Sequence, residues 1–251
     1  MISTVISFSS LEARFLPTLL TETSIFSDDI HIIYYTNFFD GTPENLPLIH
    51  NLRHQYPAVT WHELEWTADC DPKWCHNQAR WVGAEAAKEP WTLFLDADEI
   101  PDGTLIRKNL PWLTSTTTYA FHIFSCYWYF RSPTFRATTT EHCGLLAHMP
   151  SLTKEMFFTN NERWFFFEYK DIPWFRRLVV NTEKGEPMLH HFSWVRTKEE
   201  MLRKVKSWAH RNDRSSWTDL VEEEFKRPFM GKDFVHGYSY TKVDNRWGIN
   251  V

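Results

Sequence analysis

Asp96, Asp98 and Glu99 put three carboxylates into four residues, directly behind the apolar run Trp91–Leu95. Carboxylates this close repel one another unless a cation joins them. Their hard oxygens suit Mg²⁺ or Mn²⁺, and such ions bridge phosphates. The run itself, with Pro90 before it and turn residues behind, reads as a strand buried on both faces. Ligands in open α/β sheets sit outside the carboxyl ends of the strands, which is where this strand delivers its acids. The plainer reading is an acidic turn that caps the next element through Asp102-Gly103, although acidic turns seldom follow so apolar a strand.

A second stretch holds groups of the complementary kind. His190-His191-Phe192-Ser193-Trp194-Val195-Arg196 leads into Thr197-x-x-Glu200, a capping box. Met201, Val205 and Trp208 then form the apolar stripe of a helix, with Leu202 and Ala209 beside it. Arg203, Lys204 and Lys206 read equally well as its solvated face. Farther upstream, Glu168 and Asp171 follow the aromatic run Trp164–Tyr169, with Glu141 behind them. Any of these acids can take a proton from an attacking hydroxyl. A salt bridge to Arg176 or Arg177 is the structural alternative for Glu168 and Asp171.

Phe-Leu-Asp-Ala-Asp-Glu, behind a helix carrying Asn77 and Arg80, resembles the Asp-X-Asp region of GT-A glycosyltransferases, most of all the broad family 2 group. His-Phe-Ser-Trp-Val-Arg resembles a His-(aromatic)-(Gly/Ser)-Trp-Val-Arg element of several GT-A families. The resemblance is good over residues 1–103 and 188–210 and poor between them. It implies a metal-dependent transfer of sugar from a nucleotide-sugar donor to an acceptor hydroxyl, with inversion. Asp96, Asp98 and His191 are then the ligands of Mn²⁺ or Mg²⁺, Asp96 also touches the donor, and Asp171 or Glu168 is the base. By position in such a fold, Ser7, Ser9, Arg14 and Asn37 are donor contacts. Asn77 and Arg80 approach the donor, and Lys204 and His210 point toward the diphosphate.

The elements that must position these groups alternate. Thr4–Phe8, Ile30–Tyr35 and Val59–Leu64 read as strands ahead of Trp91–Leu95. Ser9 or Ser10 caps a helix bearing Leu11, Phe15 and Leu19, which Pro17 either kinks or starts. Thr42-Pro43-Glu44 reads as a second helix start, and Asp71-Pro72 as a third. The third helix carries a stripe of Cys75, Ala79, Val82 and Ala86, with Lys73, Asn77 and Arg80 off it. Such alternation implies an α/β chain with a mostly parallel central sheet and helices on both faces. In the terms of the resemblance, residues 1–251 are one GT-A, Rossmann-like domain. Residues 1–110 form its nucleotide-sugar half, and 111–251 a mixed β/helical acceptor-side half with a C-terminal helix and tail. Residues 118–130 read as one long strand and 131–150 as an irregular loop. The tail, 212–251, interleaves Arg227, Lys232, Lys242 and Arg246 with aromatic residues. It is either a stacking clamp for nucleotide or acceptor or a wrap that finishes the core.

Composition narrows the field further. Aromatic residues make up 17% of the chain, which implies a heavy core and suits flat sites for bases or sugars. Residues 1–150 hold 9 Lys and Arg against 17 Asp and Glu, whereas 151–251 hold 18 against 15. The second part is the friendlier to anions. A pI near 6.2 argues against a purely nucleic-acid-binding protein, while a glycan, a protein or a DNA base all remain as acceptors. Cys70, Cys75, Cys126 and Cys143 have no zinc-type spacing, so reduced thiols and a cytoplasmic location are expected. Neither a signal peptide nor a membrane span is readable. Two other readings stand. A nucleotidyltransferase usually needs a Gly-rich phosphate loop near the first strand, and none is present. A non-catalytic glycan- or nucleic-acid-binding module on the same scaffold would bind nucleotide without turnover.

Overall fold

The computed structural model describes residues 1–68, 71–115, 120–158 and 177–251. β1 (Ser3–Ser7), β2 (Asp29–Tyr35), β3 (Thr60–Leu64) and β4 (Trp91–Asp96) run parallel in the order β3-β2-β1-β4. Side chains alternate across a strand. Val5, Ile33 and Phe94 therefore meet one layer of helix, and Ile6, Ile32, Leu93 and Leu95 the other. α1 (Leu16–Thr23), α2 (Leu46–Gln55) and α4 (Gly103–Leu113) cover the second face, and α3 (Pro72–Ala86) covers the first. The expected α/β class, with helices on both faces of a parallel half-sheet, is what the chain adopts.

Beyond β4 the sheet becomes mixed. β5 (Glu99–Pro101), β6 (Phe121–Phe130), β7 (Ser132–His148) and β9 (Leu189–Trp194) continue it in the order β4-β7-β6-β9-β5. β8 (Arg177–Val180) pairs with β6, and β10 (Tyr240–Lys242) with β7. Among the described residues ten strands thus share one sheet. α5 (Lys154–Phe157), α6 (Lys198–Ser207) and α7 (Trp217–Glu224) complete the elements. No helix among the described residues is long and apolar enough to cross a membrane.

Several expectations need correction. Residues 131–150 are no irregular loop: most of them form β7, which lies antiparallel to both β4 and β6. Its polar half is polar because it is a half-exposed ribbon, whereas Cys143–Ala147 is buried. Arg131 makes the hairpin turn in the left-handed region, φ 58°. α2 starts three residues late, capped by Asn45, because Glu44 is drawn inward to accept from Ser10 and the Asn45 amide. Pro17 lies in the first turn of α1, and Ser9 caps a separate 3₁₀ turn over Ser10–Glu12. α3 is rotated from its expected stripe. Asn77 and Arg80 are buried, whereas Val82 and Ala86 are only half-buried. The tail is a wrap, since Phe229, Phe234 and Tyr240 pack on Phe130. Cys126 and Cys143 are free thiols, but Cys75 is disulfide-bonded where a reduced thiol is expected.

Candidate functional site

A cavity of about 620 Å³ opens at the carboxyl ends of β1, β2 and β4. Ser7 ends β1, Asp96 ends β4, and Asn37 follows β2, so three strand ends meet at one mouth. From the other half of the sheet come Trp128 on β6 and His191 on β9. α6 contributes Lys204, and the loop behind it His210.

Asp96 is not offered freely to a ligand. Its Oδ1 accepts from the Arg80 guanidinium at 3.1 Å, and Arg80 also donates to Asn77 Oδ1 at 3.2 Å. Arg80 is 2% exposed, so this is a buried brace between α3 and β4. Asn77 and Arg80 hold the acidic turn from behind and do not line the cavity, in contrast to the donor contacts expected of them.

Asp98 is buried more deeply, 4% exposed. The β5–β9 ladder pairs Glu99 with His191 and thereby sets the imidazole beside it. His191 Nε2 is 3.3 Å from Asp98 Oδ1. On Oδ2, Lys204 Nζ lies at 3.0 Å and the Arg196 guanidinium at 3.3 Å. Burial would push the Asp98 carboxyl upward, but Lys204, His191 and Arg196 together hold it well below the usual carboxylate range. Burial likewise disfavours a charged His191. The bonds to Asp98 and the Cys126 thiol, with Glu99 nearby, override it and raise the pKa to about 10. Arg196 is anchored in turn by Ser193 O, Leu11 O and Glu12 Oε1, at 2.9, 2.9 and 2.7 Å.

This arrangement decides how a divalent ion fits. Both Asp98 oxygens already face cationic groups, and Asp96 is engaged by Arg80. Among the described residues no group of three or more His, Cys, Asp and Glu side chains is set to hold an ion. Asp96, Asp98 and His191 therefore do not fit a resident Mn²⁺ or Mg²⁺ as they stand. The physical reason is that Lys204 is no solvated face: its ammonium is buried on Asp98, at the wall of the cavity.

The remaining candidates divide. Ser7 lines the cavity, and its Oγ is buried there with no hydrogen-bond partner among the described residues. Ser9 lines the cavity while capping the 3₁₀ turn. Asn37 lines it too, its amide donating to Gly41 O at 2.9 Å. His210 lines the mouth and pairs with Asp213 at 2.6 Å. Arg14 is turned away: it pairs with Glu200, reaches Asn250 O at 3.4 Å and does not line the cavity. Glu168 and Asp171 lie outside the described residues. Glu141, the third acid, accepts from the Tyr238 hydroxyl. Arg203 lies half-exposed at the surface, where it pairs with Asp40 at 2.6 Å over the Phe38 ring.

Sequence reasoning passes over Arg196 and Glu12. Arg196 closes the His-Phe-Ser-Trp-Val-Arg run, which is signal enough. Glu12 sits among ordinary turn residues and carries none.

His190, the other imidazole of the pair, points away from the cavity, with Tyr129 Oη 2.9 Å from its Nδ1. Burial, helped by Arg246, lowers its pKa to about 3, and burial lowers that of His122 to about 4. Both stay neutral in the folded chain but bind protons near pH 6.5 once unfolded. Their contribution is therefore present above about pH 6.5 and is lost as pH falls toward 4 and then 3. Thermal melts between pH 7 and pH 4 should show Tm falling with pH, and the fall should be shallower in His122→Phe. Identical slopes would mean that His122 is not held neutral.

No family model matches this chain, and no curated protein matches it. Among solved structures it is similar to the mannosyltransferase PcManGT from Pyrobaculum calidifontis, in complex with GDP-Man and Mn²⁺. That match has 11% identity and a TM-score of 0.48, over 81% of this chain and 59% of the other. It is also similar to a glycosyltransferase involved in glycosylation of the major capsid of PBCV-1, at 15% identity and a TM-score of 0.44, over 80% and 97%. A putative glucose-1-phosphate thymidylyltransferase from Bacillus anthracis matches at 10% identity and a TM-score of 0.43, over 76% and 89%. Likenesses this distant identify neither an activity nor a ligand.

Proposed function

We propose that this chain is a glycosyltransferase whose cavity takes a nucleotide-diphospho-sugar and passes the sugar to an acceptor hydroxyl. The observation that carries this reading is the cavity itself. It sits outside three parallel strand ends, and Asp98 with its cations lies in its wall. Ring-bearing residues Phe38 and Phe39 and the polar Ser7 and Asn37 flank the end where a nucleoside would lie. Aromatic faces with a few fixed polar groups suit a base and ribose.

In this reading the diphosphate lies along Lys204, which shares its charge between Asp98 and the departing phosphate. Fixed cations aimed at developing negative charge stabilise a leaving group without reorganisation. Asp98 holds Lys204 and His191 in place, and Arg80 keeps the acidic turn from collapsing. No step is assigned to a metal, since the residues do not fit one as they stand. The base that receives the acceptor proton is proposed to be Asp171 or Glu168, in line with inversion.

Thermal shift against nucleoside diphosphates and their sugar conjugates, with and without Mn²⁺, tests the reading. A ligand at 100 times its Kd adds roughly 2.7 kcal/mol of stability. One nucleotide should give such a shift, and its sugar conjugate should be consumed in the presence of an acceptor. No shift with any nucleotide would sink the proposal.

A further inference from the structure

We infer that a second cleft, on the other side of β6 and β9, binds a sugar carboxylate, with the acid group on Arg136 and His190 and the hydroxyls on an acidic rim. Alternation along the two strands builds both sites back to back. Trp128 and His191 face the cavity at the strand ends, whereas Tyr127, Tyr129 and His190 line this cleft of about 310 Å³. The two share no lining residue. The volume is at the small end of ligand pockets and gives room for about one sugar ring.

Arg136 is the unmatched charge in the floor. It comes from β7, opposite Tyr129 in the ladder, and its guanidinium lies 4.2 Å over the Tyr127 ring. Among the described residues no carboxylate pairs with it, and its Nε is buried without a hydrogen-bond partner. A buried cation without a counter-ion is costly, and an arriving anion removes that cost. Tyr129 does not supply one, because burial keeps its hydroxyl protonated. With Arg136 beside it, that hydroxyl donates to His190 Nδ1 at 2.9 Å. The proton of the neutral imidazole is then on Nε2, which has no partner among the described residues. His190 is 7% exposed, so this donor is held in place beside the guanidinium.

The rim decides which anion fits. Arg246 is already matched by Asp102 at 2.6 Å, so it adds no free charge. Glu186 and Asp244 stand exposed on the same rim. Two acids there would repel a dianion such as a phosphate monoester, yet they accept readily from hydroxyl groups. One cation in the floor therefore calls for one negative charge, and the guanidinium fork matches the plane of a carboxylate. Hydroxyl donors at the opposite end of the ligand suit the rim. A sugar acid joins both properties in one small molecule.

Isothermal titration of the full chain with methyl glucuronide and methyl glucoside is the test, since the carboxylate is what separates the two. The glucuronide should bind wild type at least about tenfold more tightly, because its hydrogen bonds to Arg136 are charge-assisted. Equal affinities, or no binding of the glucuronide, overturn the proposal, and this comparison needs no variant to fold. Arg136→Gln should weaken the glucuronide at least about tenfold and leave the glucoside unchanged. An Arg136→Gln protein with native circular dichroism and undiminished glucuronide binding also overturns it. Inorganic phosphate at equal concentration should not displace the glucuronide, and displacement would make the cleft a phosphate site instead. UDP and GDP should leave the glucuronide affinity unchanged. Competition by either would put the sugar acid in the other cavity and sink the assignment to Arg136.

Discussion

Asp98→Ala is expected to lose nucleotide binding and to lower Tm by roughly 6–20 °C, from about 3–5 kcal/mol in a chain of this size. The cost does not come from one salt bridge. Lys204, Arg196 and His191 all converge on this carboxylate inside the fold, and removing it leaves them facing one another. Breaking one side of a buried charge cluster is far more damaging than replacing the whole cluster with apolar groups. Asp98→Ala combined with Lys204→Met should therefore lose less than the sum of the single losses. Chemical denaturation of the two single variants and the double variant measures this. Strict additivity would show that Asp98 and Lys204 do not form the pair described.

The second large effect is steric. Gly83→Val should cost about 3 kcal/mol, the upper end of the usual overpacking range. A Cβ at Gly83 would stand 2.5 Å from Val5 Cγ1 and 2.7 Å from Ile33 Cδ1, and both neighbours are β-branched and locked in central strands. α3 must then lift off β1 and β2. Arg80 lies one turn before Gly83 on the same helix, so the brace on Asp96 loosens with it. Melting temperature and nucleotide affinity should fall together. A variant with lowered Tm and unchanged nucleotide affinity would show that α3 does not govern the acidic turn.

How far the sequence can be read depends on what each residue does for its neighbours. Trp91–Leu95 is legible because a short apolar run ending in acids suits little besides a buried strand, and it is β4 delivering Asp96. The strands of the parallel half are legible for the same reason. The expected stripe of α3 is off by part of a turn. Periodicity treats Asn77 and Arg80 as solvent-facing and counts Gly83 as a gap. Yet the gap is where the helix comes closest to the sheet, and the guanidinium is buried because Asp96 awaits it. β7 is illegible because a ribbon with one exposed half looks like a loop. Most of the ionic site joins residues that are distant in the chain. Nothing about Glu12 foretells Arg196, which lies 184 residues away in sequence.

That separation sets an order of assembly. Asp98 and Lys204 are 106 residues apart, and Asp98 and Arg196 are 98 apart. At the usual pace of translation, Asp98 leaves the peptidyl-transferase centre about 5–20 s before Lys204 is added. Through that interval β1 to β4 can pair and close their two cores, but the acidic turn has no counter-ion and must stay hydrated. The nucleotide half should therefore reach a folded sheet with an open, wet mouth. The cavity wall should close only when the residue-198 helix docks, making the ionic site the last part of the chain to mature on the ribosome and the first to open when it unfolds.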